Sequence, residues 1–185
     1  MANKQPGWLS VSGRGDTPVL SLALQEQLGV RIWPVHRLDV ETSGVILFAK
    51  NAEAHRQASM WFEKRQVKKT YVSLAQGQPT RPMFQVKTPV QGSAATTQFE
   101  VLEKFAEAFY VKAIPQTGRR HQIRVHLSSV GHPVLGDVQY GGNHAVIQRV
   151  ALHASRLELP GGKVFEAPLP EDFQQALEII RQGKR

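Results

Sequence analysis

The chain has 185 residues, 41% of them apolar and 21% charged, which suits one globular core and excludes a disordered chain. It contains no cysteine, so a disulfide scaffold, a thiolate nucleophile and every Cys-bearing zinc site are excluded, and a reducing cytoplasm is the expected compartment. No apolar run approaches the ~18 residues of a membrane-spanning helix, Met1–Gly7 carries no apolar signal region, and a net charge of +8 points to a polyanionic partner, most often nucleic acid.

No repeat or long linker interrupts the chain, which reads as a single domain over 1–185. Thr17-Pro18 opens a helical pattern with a cap and a first-turn proline. Leu20, Leu24 and Leu28 follow at i+4 spacing, and Gly29 closes it. An irregular stretch, 33–39, leads into the apolar run Gly44-Val45-Ile46-Leu47-Phe48-Ala49, which suits a buried strand. Asn51 caps a second helix with Ala54, Ala58, Trp61 and Phe62 on one face. Lys64, Arg65, Lys68 and Lys69 then place four cations within six residues. Strands are expected at 71–74, 98–102 and 109–113, the last alternating apolar and polar residues, with a loop at 91–95. Thr117-Gly118 turns into a short helix with Ile123, Leu127 and Val130 inward and Gly131 at its end. A glycine-rich loop, 134–143, a strand, 150–159, and a final helix marked by Phe173, Leu177 and Ile180 complete the chain. Runs of strands with a few helices, without strict alternation, predict an α+β fold on a mixed, mainly antiparallel central sheet.

Two clusters could carry chemistry. The first is His36-Arg37-Leu38-Asp39 with Glu41-Thr42-Ser43-Gly44. An acid beside a cation, on a loop feeding a buried strand, suits a catalytic site. The same residue types also form ordinary turns, and chemistry alone tips toward the turn. The second is Arg119-Arg120-His121-Gln122-Ile123-Arg124-Val125-His126. Helical spacing puts Arg120 and Arg124 on one face, which either holds phosphates or is a solvated basic face. Ile123 and Leu127 set Arg124 at the edge of the core, where an arginine needs an acidic partner; Asp39 would serve. Tyr71, just after the cations, either stacks on a base or packs in the core. The histidines are scattered or poorly spaced, and no metal site is read. His36 is expected to order its loop. No nucleophile elbow, Walker loop or dinucleotide glycine loop is present.

These residues resemble the RluA-type pseudouridine synthases. The resemblance rests on 36–50 (His36-Arg37-Leu38-Asp39 through Ala49-Lys50), on Thr117-Gly118-Arg119-Arg120-His121-Gln122-Ile123-Arg124-Val125-His126-Leu127, on Gly131–Asp137, and on Tyr140-Gly141. Lys69-Thr70-Tyr71 falls where the family has its active-site tyrosine, and Ala151-Leu152-His153-Ala154 and Ala167–Pro170 match later family segments. The resemblance implies an enzyme that isomerises uridine to pseudouridine in ribosomal or transfer RNA, without cofactor or metal. It implies an α+β fold with an RNA-binding cleft. Asp39 falls at the essential aspartate, Tyr71 at the tyrosine that packs on the target base, and Arg124 at the arginine that pairs with the catalytic carboxylate. Arg37 falls at an arginine that enters the RNA stack in some members, and Leu152 at an apolar residue lining the pocket. His36, Arg119 and Arg120 complete the expected substrate-binding set. The usual Lys-Pro is interrupted here by Gln5, and no separate N-terminal RNA-binding domain is expected. A monomer is expected.

The implied reaction detaches uracil from C1′, rotates it and rejoins it through C5. A carboxylate could attack C1′, add to C6, or remove the 2′ proton to give a glycal; the last is preferred. Two rivals stand beside this reading. One is an RNA-binding protein without catalysis, to which a carboxylate would add nothing. The other is a hydrolase that releases free uracil, although most glycoside hydrolysis employs two carboxylates.

Overall fold

The computed structural model describes residues 1–13, 16–143 and 146–183; His144, one of the scattered histidines, lies outside the described residues. In chain order the elements are β1 (Ala2–Lys4), α1 (Leu20–Leu28), β2 (Trp33–Pro34), β3 (Ser43–Ile46), β4 (Phe48–Ala49), α2 (Ala52–Glu63), β5 (Lys68–Gln76), β6 (Met83–Val86), β7 (Thr97–Lys104), β8 (Ala108–Pro115), α3 (Gln122–Ser129), a 3-10 turn (Val138–Tyr140), β9 (Leu152–Glu158), β10 (Val164–Glu166) and α4 (Glu171–Gln182). The fold is α+β, with mixed and mainly antiparallel strand pairing, as the sequence predicts. The elements gather into two compact units, Met1–Lys68 with Ala154–Pro168, and Lys69–His153 with Leu169–Arg185.

In the first unit β1 pairs antiparallel with β3, setting Lys4 opposite Gly44, and β10 pairs antiparallel with β9. β2 and β4 form a small separate ribbon. Val45, Ile46, Leu47, Ala154 and Leu157 are buried here. Helix α1 ends at Gly29 in the left-handed conformation, as expected, but begins two residues later than Pro18. Thr17-Pro18 is engaged elsewhere: Pro18 O accepts the Leu9 N–H, and the Leu20 N–H donates to Leu9 O. The leucine stripe is only partly used, since Leu28 is 45% exposed. Asn51 caps α2 as expected, its side-chain oxygen accepting the Ala54 N–H at 2.8 Å. Ala58, Trp61 and Phe62 are half-buried, whereas Ala54 is exposed. The apolar run 44–49 is not one strand. It breaks at Leu47, whose N–H leaves the strand ladder and donates to His36 Nε2 at 2.9 Å.

In the second unit the strand order is β5-β8-β7-β6, with every neighbour antiparallel. β8 alternates buried and half-buried positions along most of its length, the period expected of a strand with one face in the core. Leu74, Phe109, Val111, Leu127, Phe173 and Leu177 are among the residues that build this core, to which α3 and α4 each contribute an apolar face. Arg149 holds the start of α4 by a bidentate pair to Asp172 at 2.6 and 2.9 Å. That hydrogen-bonded guanidinium lowers the Asp172 carboxyl below its ordinary range. The edge strand β6 gives little sequence signal, being four residues long with Met83 67% exposed. Val130 is not inward as expected but 43% exposed, because α3 ends at Ser129.

Candidate active site

The first signature lies in the first unit, on the loop between β2 and β3. Leu38 is anchored in the core, Asp39 is half-buried and Arg37 is exposed. The Thr42 N–H donates to Asp39 O at 3.1 Å, so a turn does follow the aspartate. The turn shapes the loop that presents Asp39 and does not compete with a chemical role for it. His36 orders this loop, as expected. Its Nε2 accepts from Leu47, which places the ring proton on Nδ1 in the neutral form. Its ring stacks on Phe62 with centroids 4.6 Å apart.

Further anchors come from the N-terminal segment. Lys4 is fully buried, and its ammonium donates to Gln5 O at 3.0 Å and to Trp8 O and Val40 O at 2.8 Å. The Gly7 N–H also donates to Val40 O, at 2.9 Å. A desolvated ammonium is costly unless its donors are satisfied, so this arrangement ties β1 firmly to the residue after Asp39. Thr42 is 2% exposed, and its hydroxyl has no hydrogen-bond partner among the described residues.

The remaining expected residues lie in the second unit. Tyr71 is half-buried on β5, opposite Ala113, and its ring packs against the core. Leu152 opens β9 and is buried. Arg124 is 5% exposed on α3, deeper than a boundary position. Its Nε and Nη2 donate to the two Asp137 carboxylate oxygens at 2.6 and 2.8 Å, and Nη2 also reaches Gln139 Oε1 at 3.2 Å. The Tyr140 ring covers the guanidinium, with its centroid 5.0 Å from Cζ. The sequence requires an acid for this arginine, and Asp137 is one that residue spacing does not single out.

Arg120 and Arg124 do not share a helix face. Helix α3 begins at Gln122, with His121 as a left-handed N-cap at φ 56°, so Arg120 precedes the helix. His121 Nδ1 lies 3.0 Å from the Tyr140 hydroxyl, which pins this uncommon backbone position. Arg119 and Arg120 are exposed on the turn. Lys69 is bonded to the same turn, its Nζ donating to Thr117 O at 3.0 Å.

A buried chain of hydrogen bonds fixes that turn from behind. Gln122 Oε1 accepts from the Thr117 hydroxyl at 2.6 Å and from the Arg119 N–H at 3.0 Å. Gln122 Nε2 donates to the Thr97 hydroxyl oxygen at 2.9 Å, which meets His126 Nδ1 at 2.9 Å. His126 Nε2 reaches Thr88 O at 2.8 Å; a carbonyl only accepts, so the proton sits on Nε2. Burial lowers the His126 pKa below its ordinary 6.5, and the bond to Thr88 opposes this. Gln122 and His126 lie inside the second signature, but their role as internal braces becomes visible only from the fold.

The sequence model of a family described as RNA pseudouridylate synthase matches residues 1–129. A "tRNA pseudouridine synthase C" of Pasteurella multocida is 32% identical, over 84% of this chain and 79% of the relative. A "Ribosomal large subunit pseudouridine synthase D" of Nitrosomonas europaea is 37% identical, over 80% of this chain and 51% of the relative. The chain spans about half the length of several curated relatives that it matches. Among solved structures, "Human RNA Pseudouridylate Synthase Domain Containing 4" is similar with a TM-score of 0.85 and 26% identity, over 97% of this chain and 88% of that one. No helix among the described residues is long and apolar enough to cross a membrane.

Proposed function

We propose that this chain, which belongs to the RNA pseudouridylate synthase family and to its RluA type, isomerises uridine to pseudouridine in structured RNA. The observation that carries this reading is the reach of the family match, residues 1–129, which takes in Asp39, Tyr71 and Arg124 together. Relatives named for transfer RNA and for large-subunit ribosomal RNA make both classes candidate substrates.

Asp39 supplies the essential carboxylate. In the preferred path it removes the 2′ proton as the glycosidic bond breaks, leaving a glycal and a uracil anion; uracil turns, C5 bonds to C1′ as the proton returns to C2′, and the ring then loses its C5 proton and gains one at N1. Tyr71 holds the face of the base. Arg124 supplies a fixed positive charge for the reaction. Extruding the uridine from its stack costs a few kcal/mol, roughly two to four. The exposed Arg37 offsets this by placing a planar guanidinium in the gap. His36 and Leu152 belong to the substrate-binding set, and Arg119 and Arg120 meet phosphates, so affinity for RNA falls as salt rises.

The test is nucleoside analysis of transfer and ribosomal RNA transcripts after incubation with the protein. Pseudouridine should form with no change in RNA mass. Asp39→Asn keeps the shape of the side chain and loses its charge, and should slow conversion on the order of 10³-fold or more. A wild-type protein that converts no uridine, or one that liberates free uracil, overturns the reading.

A further inference from the structure

Ser10 belongs to neither signature, is 3% exposed and lies in the same unit as Asp39. Its hydroxyl is used twice on one residue: it accepts the Leu38 N–H at 3.0 Å and donates to Leu38 O at 2.9 Å. A serine hydroxyl can do both at once, since it carries one proton and two lone pairs. Leu38 O belongs to the peptide group that enters Asp39. Asp39 O, in the peptide group that leaves it, is held by the Thr42 N–H. Val40 O is held by Lys4 Nζ and the Gly7 N–H. Three consecutive carbonyls around the aspartate thus have assigned donors, and Ser10 supplies the first.

We infer that Ser10 is a positioning residue for Asp39: its bridging hydroxyl sets the peptide plane entering the aspartate and so the direction of the carboxylate. This rests on the reading of Asp39 as the reacting group. Ser10 touches no substrate and acts through Leu38. Its removal leaves a buried N–H and C=O unpaired, and the loop satisfies them by shifting, which moves Asp39.

Steady-state turnover on an RNA that the wild-type protein converts tests this, at a temperature where far-ultraviolet circular dichroism shows every variant folded. Ser10→Ala should lower kcat on the order of 10- to 100-fold, the cost of a misplacement near 1 Å, and leave KM for RNA unchanged. Ser10→Thr, which restores a hydroxyl, should recover most of that loss. Should Ser10→Ala not fold, Ser10→Cys fills the same space with a weak hydrogen-bonding group and is expected to lose kcat in the same way. A wild-type kcat in the folded variant lacking the hydroxyl overturns the inference, as does a loss carried by KM alone. Asp39→Asn separates the two levels. If it is inactive while Ser10→Ala is fully active, only the positioning role falls. If it is as active as wild type, the underlying reading of Asp39 falls.

Discussion

At Arg124 a guanidinium sits almost wholly inside the second unit, and Asp137, with its side chain fully buried, occupies two of its nitrogens. Removing Asp137 takes two charge-assisted hydrogen bonds from a desolvated guanidinium. Asp137→Ala should therefore cost about 3–5 kcal/mol, measured as a fall in the urea midpoint at unchanged slope. A loss below ~1 kcal/mol would mean that Gln139 and the Tyr140 ring already satisfy the arginine, as an exposed pair would be satisfied by water. The chain sequence says that an arginine between Ile123 and Leu127 needs an acid, because helical spacing puts it beside the core. It offers Asp39 for that part and does not point to Asp137. Asp137 lies 13 residues on, beyond the end of α3, and only the return of the chain over that helix brings it back. Ser10 is less visible still: a lone serine between Leu9 and Val11 carries no pattern, and its importance lies in which backbone it meets.

At the scale of elements, β3 is governed by Gly44. Its φ of +116° is one that residues with side chains rarely adopt, and an added Cβ would stand 2.7 Å from Ala154 N and closer still to the Ala154 carbonyl oxygen. The obstacle is backbone, which cannot turn aside. Gly44→Ala should therefore cost about 3 kcal/mol or more, seen in thermal melts or as loss of soluble protein. The sequence reads Gly44 both as a turn former and as the head of an apolar strand, and neither reading announces the backbone of Ala154 beside it. The same limit explains the break at Leu47: hydropathy runs unbroken through 44–49, and nothing local reveals that His36 will claim one backbone N–H. Elements with their own signals fare better. Asn51 before α2, Gly29 after α1 and the alternation in β8 each act over a few residues and are found where the sequence puts them. The start of α3 is displaced because Gln122 draws Arg119 and Thr117 into its side-chain bonds, and the turn lasts longer than helical spacing suggests.

For the whole molecule, acid stability should carry the mark of His126. Its folded pKa lies below its ordinary 6.5, so the unfolded chain binds the proton more readily. Stability from this group is complete above the unfolded value and is lost as pH falls from there through the folded value. The urea midpoint should thus drop as pH falls through and below the ordinary histidine range, and His126→Gln should flatten that drop. An equal slope in both proteins would remove His126 as its source. The α+β class follows from the order of strands and helices, but the grouping of the chain does not. The first unit takes up 154–168 only after the whole stretch 69–153 has been spent on the second. That interleaving has a consequence for biosynthesis. The segment bearing Asp39 emerges from the ribosome ahead of its partner, since β3 must wait more than a hundred residues for Ala154, the backbone against which Gly44 fits. A nascent chain halted before that point holds an open strand edge, which makes the interval a window for chaperones, and for aggregation when they are scarce.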